Sequence, residues 1–153
     1  MELNTIAGSN KTNAQAKQFP VKKLKKVLGD LKGKRIALLG LAFKANTDDM
    51  REASSVEIAE ELKKAGAIIS AYDPIAQENA KKAMPYIEYC DTPYKALIGA
   101  DAMILVTEWP EFTSLDYRRI KKQMNRPLII DARNFLDKKA LTQAGFEYEG
   151  IGV

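Results

Sequence analysis

Four short apolar runs do most to constrain what this chain can fold into: Ile36-Ala37-Leu38-Leu39, Ala67-Ile68-Ile69-Ser70-Ala71-Tyr72, Ala102-Met103-Ile104-Leu105-Val106 and Leu128-Ile129-Ile130. They do not alternate apolar with polar residues, so neither face is patterned for water. That is how parallel strands read when helices cover both sides of the sheet. Gly40 closes the first run and Asp73-Pro74 the second.

Between the runs the period changes to that of a helix. Residues 54–65 place Val56, Ile58, Ala59, Leu62 and Ala65 at helical spacing, and Gly66 stops them. Residues 75–84 predict a shorter helix, 93–98 a helical turn or two, 115–124 an amphipathic helix, and 137–144 a short helix ahead of Gly145. Residues 86–89 and 146–150 read as minor or edge strands. Alternating strands and helices at these lengths imply right-handed crossovers. The expected fold is α/β: a doubly wound, mostly parallel, Rossmann-like sheet.

Residues 1–34 read as a helical lead-in, with the ligand-binding domain over 35–153. Thr12-Asn13-Ala14-Gln15 is polar and Phe19-Pro20 looks like a break. Val21, Leu24, Val27, Leu28 and Leu31 then predict a helix that ends around Gly29 and Gly33.

Composition removes several kinds of chemistry. The chain of 153 residues has no histidine and a single cysteine, Cys90. A Ser-His-Asp or Cys-His hydrolase is therefore excluded, a zinc site is not expected, and no intrachain disulfide can form. No His or Lys is placed to activate Cys90, which reads as an inert thiol in a reducing compartment. Asp48 and Asp49 are adjacent carboxylates without a further ligand pattern, so no metal is expected there. No apolar stretch reaches the roughly 18 residues of a membrane span. Met1-Glu2-Leu3-Asn4-Thr5 lacks the layout of a secretion signal, and a cytoplasmic setting is expected.

The charge is uneven. Residues 1–35 hold nine Lys/Arg and two Asp/Glu, a net +7, whereas the remainder holds fifteen and eighteen, a net −3. A nucleic-acid arm would use such a basic start. However, no aromatic residues are interleaved there to stack on bases, so a solvated helix face is the better reading and no nucleic-acid partner is expected.

Open parallel sheets bind ligands beyond the carboxyl ends of their strands. Gly40-Leu41-Ala42-Phe43-Lys44, Thr107-Glu108-Trp109 and Asp131-Ala132-Arg133-Asn134 lie at such ends. Lys44 and Arg133 are cations at one sheet edge and together suit a diphosphate, Arg133 by a bidentate grip. The start of the following helix, near Ser54 and Ser55, would add a modest attraction for anions. Gly40 is not followed by a G-x-G-x-x-G turn, so the usual dinucleotide cradle is not encoded. Trp109 reads as a packing residue.

From Gly40 to Ala53 the sequence GLAFKANTDDMREA resembles the hallmark stretch of the C-terminal, UDP-binding domain of the UDP-glucose/GDP-mannose dehydrogenase family. Tyr72-Asp73-Pro74, Gly99-Ala100-Asp101-Ala102, Thr107-Glu108-Trp109 with Phe112, and Asp131-Ala132-Arg133-Asn134 resemble the family in order and spacing, over about four-fifths of the chain. Met50, Ala53 and Thr107-Glu108-Trp109 look like the members that use UDP-glucose. Asn13 and the basic helix resemble the tail of the family's central domain.

The resemblance implies that Phe43, Lys44 and Arg133 hold the UDP-sugar and that Arg51 reaches NAD across a domain interface. It implies a whole enzyme, a homodimer or higher oligomer, that oxidises C6 of the glucosyl group twice to give UDP-glucuronate and two NADH. The family's nucleophilic cysteine sits in a Gly-Gly-Ser-Cys-Phe-Pro-type segment that this sequence lacks, as it lacks the Gly-rich NAD loop. No catalytic residue is thus expected in this chain, and Cys90 inherits no role. The sequence reads as part of a longer protein or as the product of a split gene. A free-standing nucleotide-binding or regulatory module, or a dehydrogenase of another UDP-sugar, remains the alternative.

Overall fold

The computed structural model describes residues 19–51 and 53–151. The polar opening around Asn13 and the acidic Glu52 lie outside the described residues. Twelve named elements follow one another. They are β1 (Arg35–Leu39), α2 (Ser54–Lys64), β2 (Ile68–Tyr72), α3 (Gln77–Ala83), β3 (Glu88–Tyr89) and α4 (Pro93–Leu97), then β4 (Ala102–Leu105), a 3-10 turn (Pro110–Ser114), α5 (Tyr117–Gln123), β5 (Leu128–Asp131), α6 (Lys138–Gln143) and β6 (Glu147–Gly150). A helix over residues 19–28, α1, precedes them.

The strands form one sheet in the order β3-β2-β1-β4-β5-β6, and every pair is parallel. The order reverses between β1 and β4. The crevice beyond Leu39 and Leu105 is therefore the switch point at which such sheets take ligands.

Side chains of successive strand residues point to opposite faces, so each apolar run serves two cores. Ile36, Leu38, Ile104 and Ile130 pack with Val21 and Leu24 of α1 and with Ile58, Ala59 and Leu62 of α2. Ala37, Leu39, Met103, Leu105 and Ile129 pack on the other face with Leu97 of α4, Ile120 of α5, Leu141 of α6 and Phe112 of the 3-10 turn. Each fully buried Leu or Ile contributes roughly 1.5–3 kcal/mol relative to leaving it in water. Covering helices on both faces explain why the runs show no polar alternation.

Two expectations change. Pro20 does not interrupt α1 but lies within it, because the φ of about −65° fixed by its ring is a helical value. The helix ends at residue 28 rather than Leu31, since Gly29 turns the chain at φ 76° and its N–H bonds back to the Lys25 carbonyl. Leu31 is buried all the same. The 3-10 turn, unforeseen in the sequence, is too short to show a period. Among the described residues, no helix is long and apolar enough to cross a membrane.

Candidate functional site at the carboxyl edge

β1 ends at Leu39, and Gly40 turns the chain with φ 89°, a conformation open to glycine and awkward for other residues. Its N–H donates to the Tyr72 carbonyl at 2.8 Å. A Cβ placed on Gly40 would lie 2.4 Å from the Cβ of Thr107. The Thr107 hydroxyl donates to the Ala42 carbonyl at 2.8 Å. Thr107 thus packs directly against the Gly40 turn and ties it to Ala42.

Two buried carboxylates shape the loops at this edge. Asp73, beyond β2, is only 2% exposed. Its Oδ2 accepts from the N–H groups of Leu41 (2.7 Å) and Ala42 (3.3 Å), and its Oδ1 accepts from those of Ile75 (2.9 Å) and Ala76 (2.8 Å). The Ser55 hydroxyl, at the start of α2, donates to the Leu41 carbonyl at 2.6 Å. That buried hydroxyl is therefore engaged inside the fold. Residues 41–42 are held from two sides, and Phe43 and Lys44 emerge from them. Phe43 is 44% exposed, a large apolar ring left in solvent at the carboxyl edge of the sheet. Lys44 beside it is exposed. Phe43 N–H closes the loop on the Asp49 carbonyl at 2.9 Å, and Asn79 of α3 donates to the Asp48 carbonyl at 3.0 Å.

Asp131, at the end of β5, is fully buried. Its Oδ1 accepts from Arg133 N–H (3.0 Å), and its Oδ2 from Phe135 N–H (2.8 Å), Leu136 N–H (2.7 Å) and the Tyr148 hydroxyl (2.7 Å). The exposed Arg133 side chain then reaches across the end of β4. Its Nε donates to the Val106 carbonyl at 3.0 Å and its Nη2 to the Phe43 carbonyl at 3.1 Å. Two of the five N–H donors of the guanidinium are used in this bridge. The three segments singled out in the sequence thus meet: Arg133 touches the end of β4 and the loop that carries Phe43 and Lys44.

Arg51 lies elsewhere on that loop. Its Nε and Nη2 pair with both oxygens of Asp49, at 3.0 Å to Oδ1 and 2.9 Å to Oδ2, and its own N–H also meets Oδ1 at 2.9 Å. These bonds, the guanidinium's first, pull the Asp49 carboxyl down to about 2, and Lys44 adds to the shift. Any stability from the pair is present above the ordinary 3.8 and is lost as pH falls toward about 2. Arg51→Ala is expected to raise Asp49 toward 3.8, with the backbone N–H bond retained, read by carboxyl NMR titration; an unmoved midpoint would mean that the pair is not populated in solution. Arg51, Asp49, Met50, Asp48, Thr47 and Asn79 line an open groove of about 670 Å³.

Trp109 is buried beside Phe112 in the core, as a packing residue should be. Burial pushes the Cys90 thiol up, which disfavours the thiolate. The structural roles of Asp73 and Asp131 were not foreseen. Their local half had a signal, an Asp whose carboxylate can accept from N–H groups two or three residues on. Their long-range half, to Leu41, Ala42 and Tyr148, had none.

A profile of the UDP-glucose/GDP-mannose dehydrogenase family's UDP binding domain matches residues 37–138. A UDP-glucose 6-dehydrogenase of Rhizobium meliloti (strain 1021) is 44% identical over 124 residues, which is 81% of this chain and 28% of the relative. A second, YwqF of Bacillus subtilis (strain 168), is 42% identical over 143 residues, covering 93% and 32%. Among solved structures, a UDP-glucose dehydrogenase from Pyrobaculum islandicum superposes with a TM-score of 0.78 at 34% identity, over 92% of this chain and 30% of the other. A UDP-D-ManNAc dehydrogenase from Pyrococcus horikoshii gives 0.71 at 30% identity, over 94% and 31%. The chain thus spans about a third of the length of the curated relatives it matches. With two-thirds of its residues inside the matched profile and the predicted segments gathered at one sheet edge, the chain belongs to the UDP-glucose/GDP-mannose dehydrogenase family and carries its UDP-binding domain.

Proposed function

We propose that this chain is the nucleotide-sugar-binding part of an NAD-dependent UDP-glucose 6-dehydrogenase, with Phe43, Lys44 and Arg133 as the UDP-sugar contacts. The observation that carries the reading is the Arg133 bridge to the Phe43 carbonyl, which ties a guanidinium to the loop that carries Lys44. A diphosphate carries the charge and acceptor oxygens that such a pair of cations satisfies. The exposed Phe43 ring offers an apolar surface beside it.

Residues 35–153 form the UDP-sugar-binding domain in this reading, and residues 1–34 lead in from a preceding domain. Val21 and Leu24 of that lead-in pack on the sheet, so α1 travels with the domain. NAD supplies the hydride acceptor for the family reaction. Arg51 lies in an open groove, reachable from a neighbouring domain. The complete protein would convert UDP-glucose, two NAD and water to UDP-glucuronate and two NADH, in the cytoplasm and as a homo-oligomer. This chain contributes binding and no catalytic group, so it is expected to produce no NADH alone.

The test is calorimetric titration of the chain with UDP, UDP-glucose and GDP. Uridine ligands should bind more tightly than GDP. Arg133→Ala and Lys44→Ala should each weaken UDP by about 10-fold or more, the effect of losing charge-assisted hydrogen bonds. Binding untouched by both substitutions would overturn the site. Equal affinity for GDP would overturn the uridine assignment.

A further inference from the structure

We propose that Tyr148 and Asp131 are positioning residues for the anion site: together they hold the turn from which Arg133 bridges to Val106 and Phe43, ready for a nucleoside diphosphate. This rests on the reading of Arg133 as a UDP contact.

Arg133 is exposed, and a free arginine side chain samples many rotamers, so presenting it in one geometry needs restraint from its surroundings. Two restraints meet in this residue. Its backbone is tied to Asp131 Oδ1 at 3.0 Å, and its guanidinium to the Val106 and Phe43 carbonyls at 3.0 and 3.1 Å. The first restraint is only as firm as Asp131 itself. That carboxylate is fully buried, and its Oδ2 gathers Phe135 N–H, Leu136 N–H and the Tyr148 hydroxyl.

The two N–H groups belong to the same turn and move with it. Tyr148 alone among these donors comes from another strand, the edge strand β6, and so holds the carboxylate from outside the turn. Its ring packs on the core that holds Ile129 and Leu141. Burial first, and then the bond to Asp131, push its hydroxyl up, so it remains a proton donor across ordinary pH. Nearby, Asn134 adopts φ 53° and pairs with Ile151 through both its amide groups, N–H to Oδ1 at 2.8 Å and Nδ2 to O at 2.9 Å. The end of β6 and the Arg133 turn are thereby joined at two points. Removing the Tyr148 hydroxyl leaves the ring, the strand and the Asn134 clamp in place, and loosens only the carboxylate that sets Arg133.

The experiment uses the 153-residue chain in four forms: native, Tyr148→Phe, Arg133→Ala and the double variant. UDP affinity is measured by calorimetry. Tyr148→Phe is expected to weaken UDP about fivefold in the native background, the scale of one ordinary hydrogen bond, because the lost bond to Asp131 is felt at the ligand only through Arg133. In the Arg133→Ala background it is expected to change affinity by less than about twofold, because an effect exerted through Arg133 vanishes with it. Tyr117→Phe is the control. That tyrosine is also partly buried, but it donates to the Phe112 carbonyl, so its loss should lower stability and leave UDP affinity unchanged.

Equal weakening in both backgrounds, no weakening in either, or the same weakening from Tyr117→Phe would overturn the proposal. A second readout does not depend on UDP. The Arg133 Nε–H resonance should shift and exchange faster with solvent in Tyr148→Phe, and not in Tyr117→Phe. If the native chain fails to bind UDP, the binding reading falls, and this resonance decides the positioning by itself; an unmoved Nε–H would overturn it.

Discussion

Gly40→Ala is expected to destabilise the chain by about 2–5 kcal/mol, measured by urea unfolding. Two independent penalties add. A side chain at φ 89° brings its Cβ against its own backbone, roughly 1–2 kcal/mol. The same Cβ would lie 2.4 Å from the Cβ of Thr107 and 2.7 Å from its backbone nitrogen, and forced overpacking costs about 1–3 kcal/mol. Thr107 cannot give way easily. It is fully buried, and its hydroxyl is tied to the Ala42 carbonyl. Gly33→Ala separates the two penalties. Gly33 has φ 76° but nothing within 4 Å of an added Cβ, so only the backbone strain applies, about 1–2 kcal/mol. Equal losses at the two positions would show that Thr107 yields and that the close approach is not a constraint.

The second large effect is expected at Asp73. Asp73→Ala removes the acceptor of four backbone N–H groups, and those of Leu41, Ala42 and Ala76 are buried. Buried donors left without a partner cost about 1–3 kcal/mol each when no water reaches them, and partial relaxation brings the sum to about 3–5 kcal/mol. Two of the four donors lead directly into Phe43, so UDP affinity should fall along with stability. Asp73→Asn keeps the shape but turns one acceptor into a donor facing N–H groups, and an intermediate loss is expected. Asp30→Ala is the reference. Asp30 is exposed and accepts from Lys32 N–H at 3.0 Å, so its loss should stay within about 0.5 kcal/mol. A loss at Asp73 no larger than that would mean that the Leu41–Ala42 turn is held by other contacts, Ser55 and Thr107 first among them.

The chain's architecture was legible because its signals are local and strong. Each of the four apolar runs became a strand with a buried interior, and each helical-period segment between them became a helix. Their ends moved by a residue or two, as element ends do. The stretch from Gly40 to Arg51 was legible as a loop at the carboxyl end of β1 because it follows the glycine that closes the first apolar run. Lys44 and Arg133 could be placed at one edge by topology, since both follow parallel strands. Less legible was the lead-in: Pro20 was read as a break because proline usually interrupts helices, yet its fixed φ suits α1.

By itself, then, the sequence determined the fold class and the strand segments, because hydrophobic period and turn residues act between near neighbours in the chain, and its motifs carried the family resemblance. Only the tertiary structure decided what each polar group at that edge touches. Arg133 meets a carbonyl 90 positions away, Thr107 one 65 positions away, and Asp73 N–H groups 31 and 32 positions away. A buried donor or acceptor must find a partner, but no spacing rule names that partner when the sheet brings it from a distant strand. The pairing is settled only once the strands are laid side by side, and it leaves the cations Lys44 and Arg133 at the edge of the sheet.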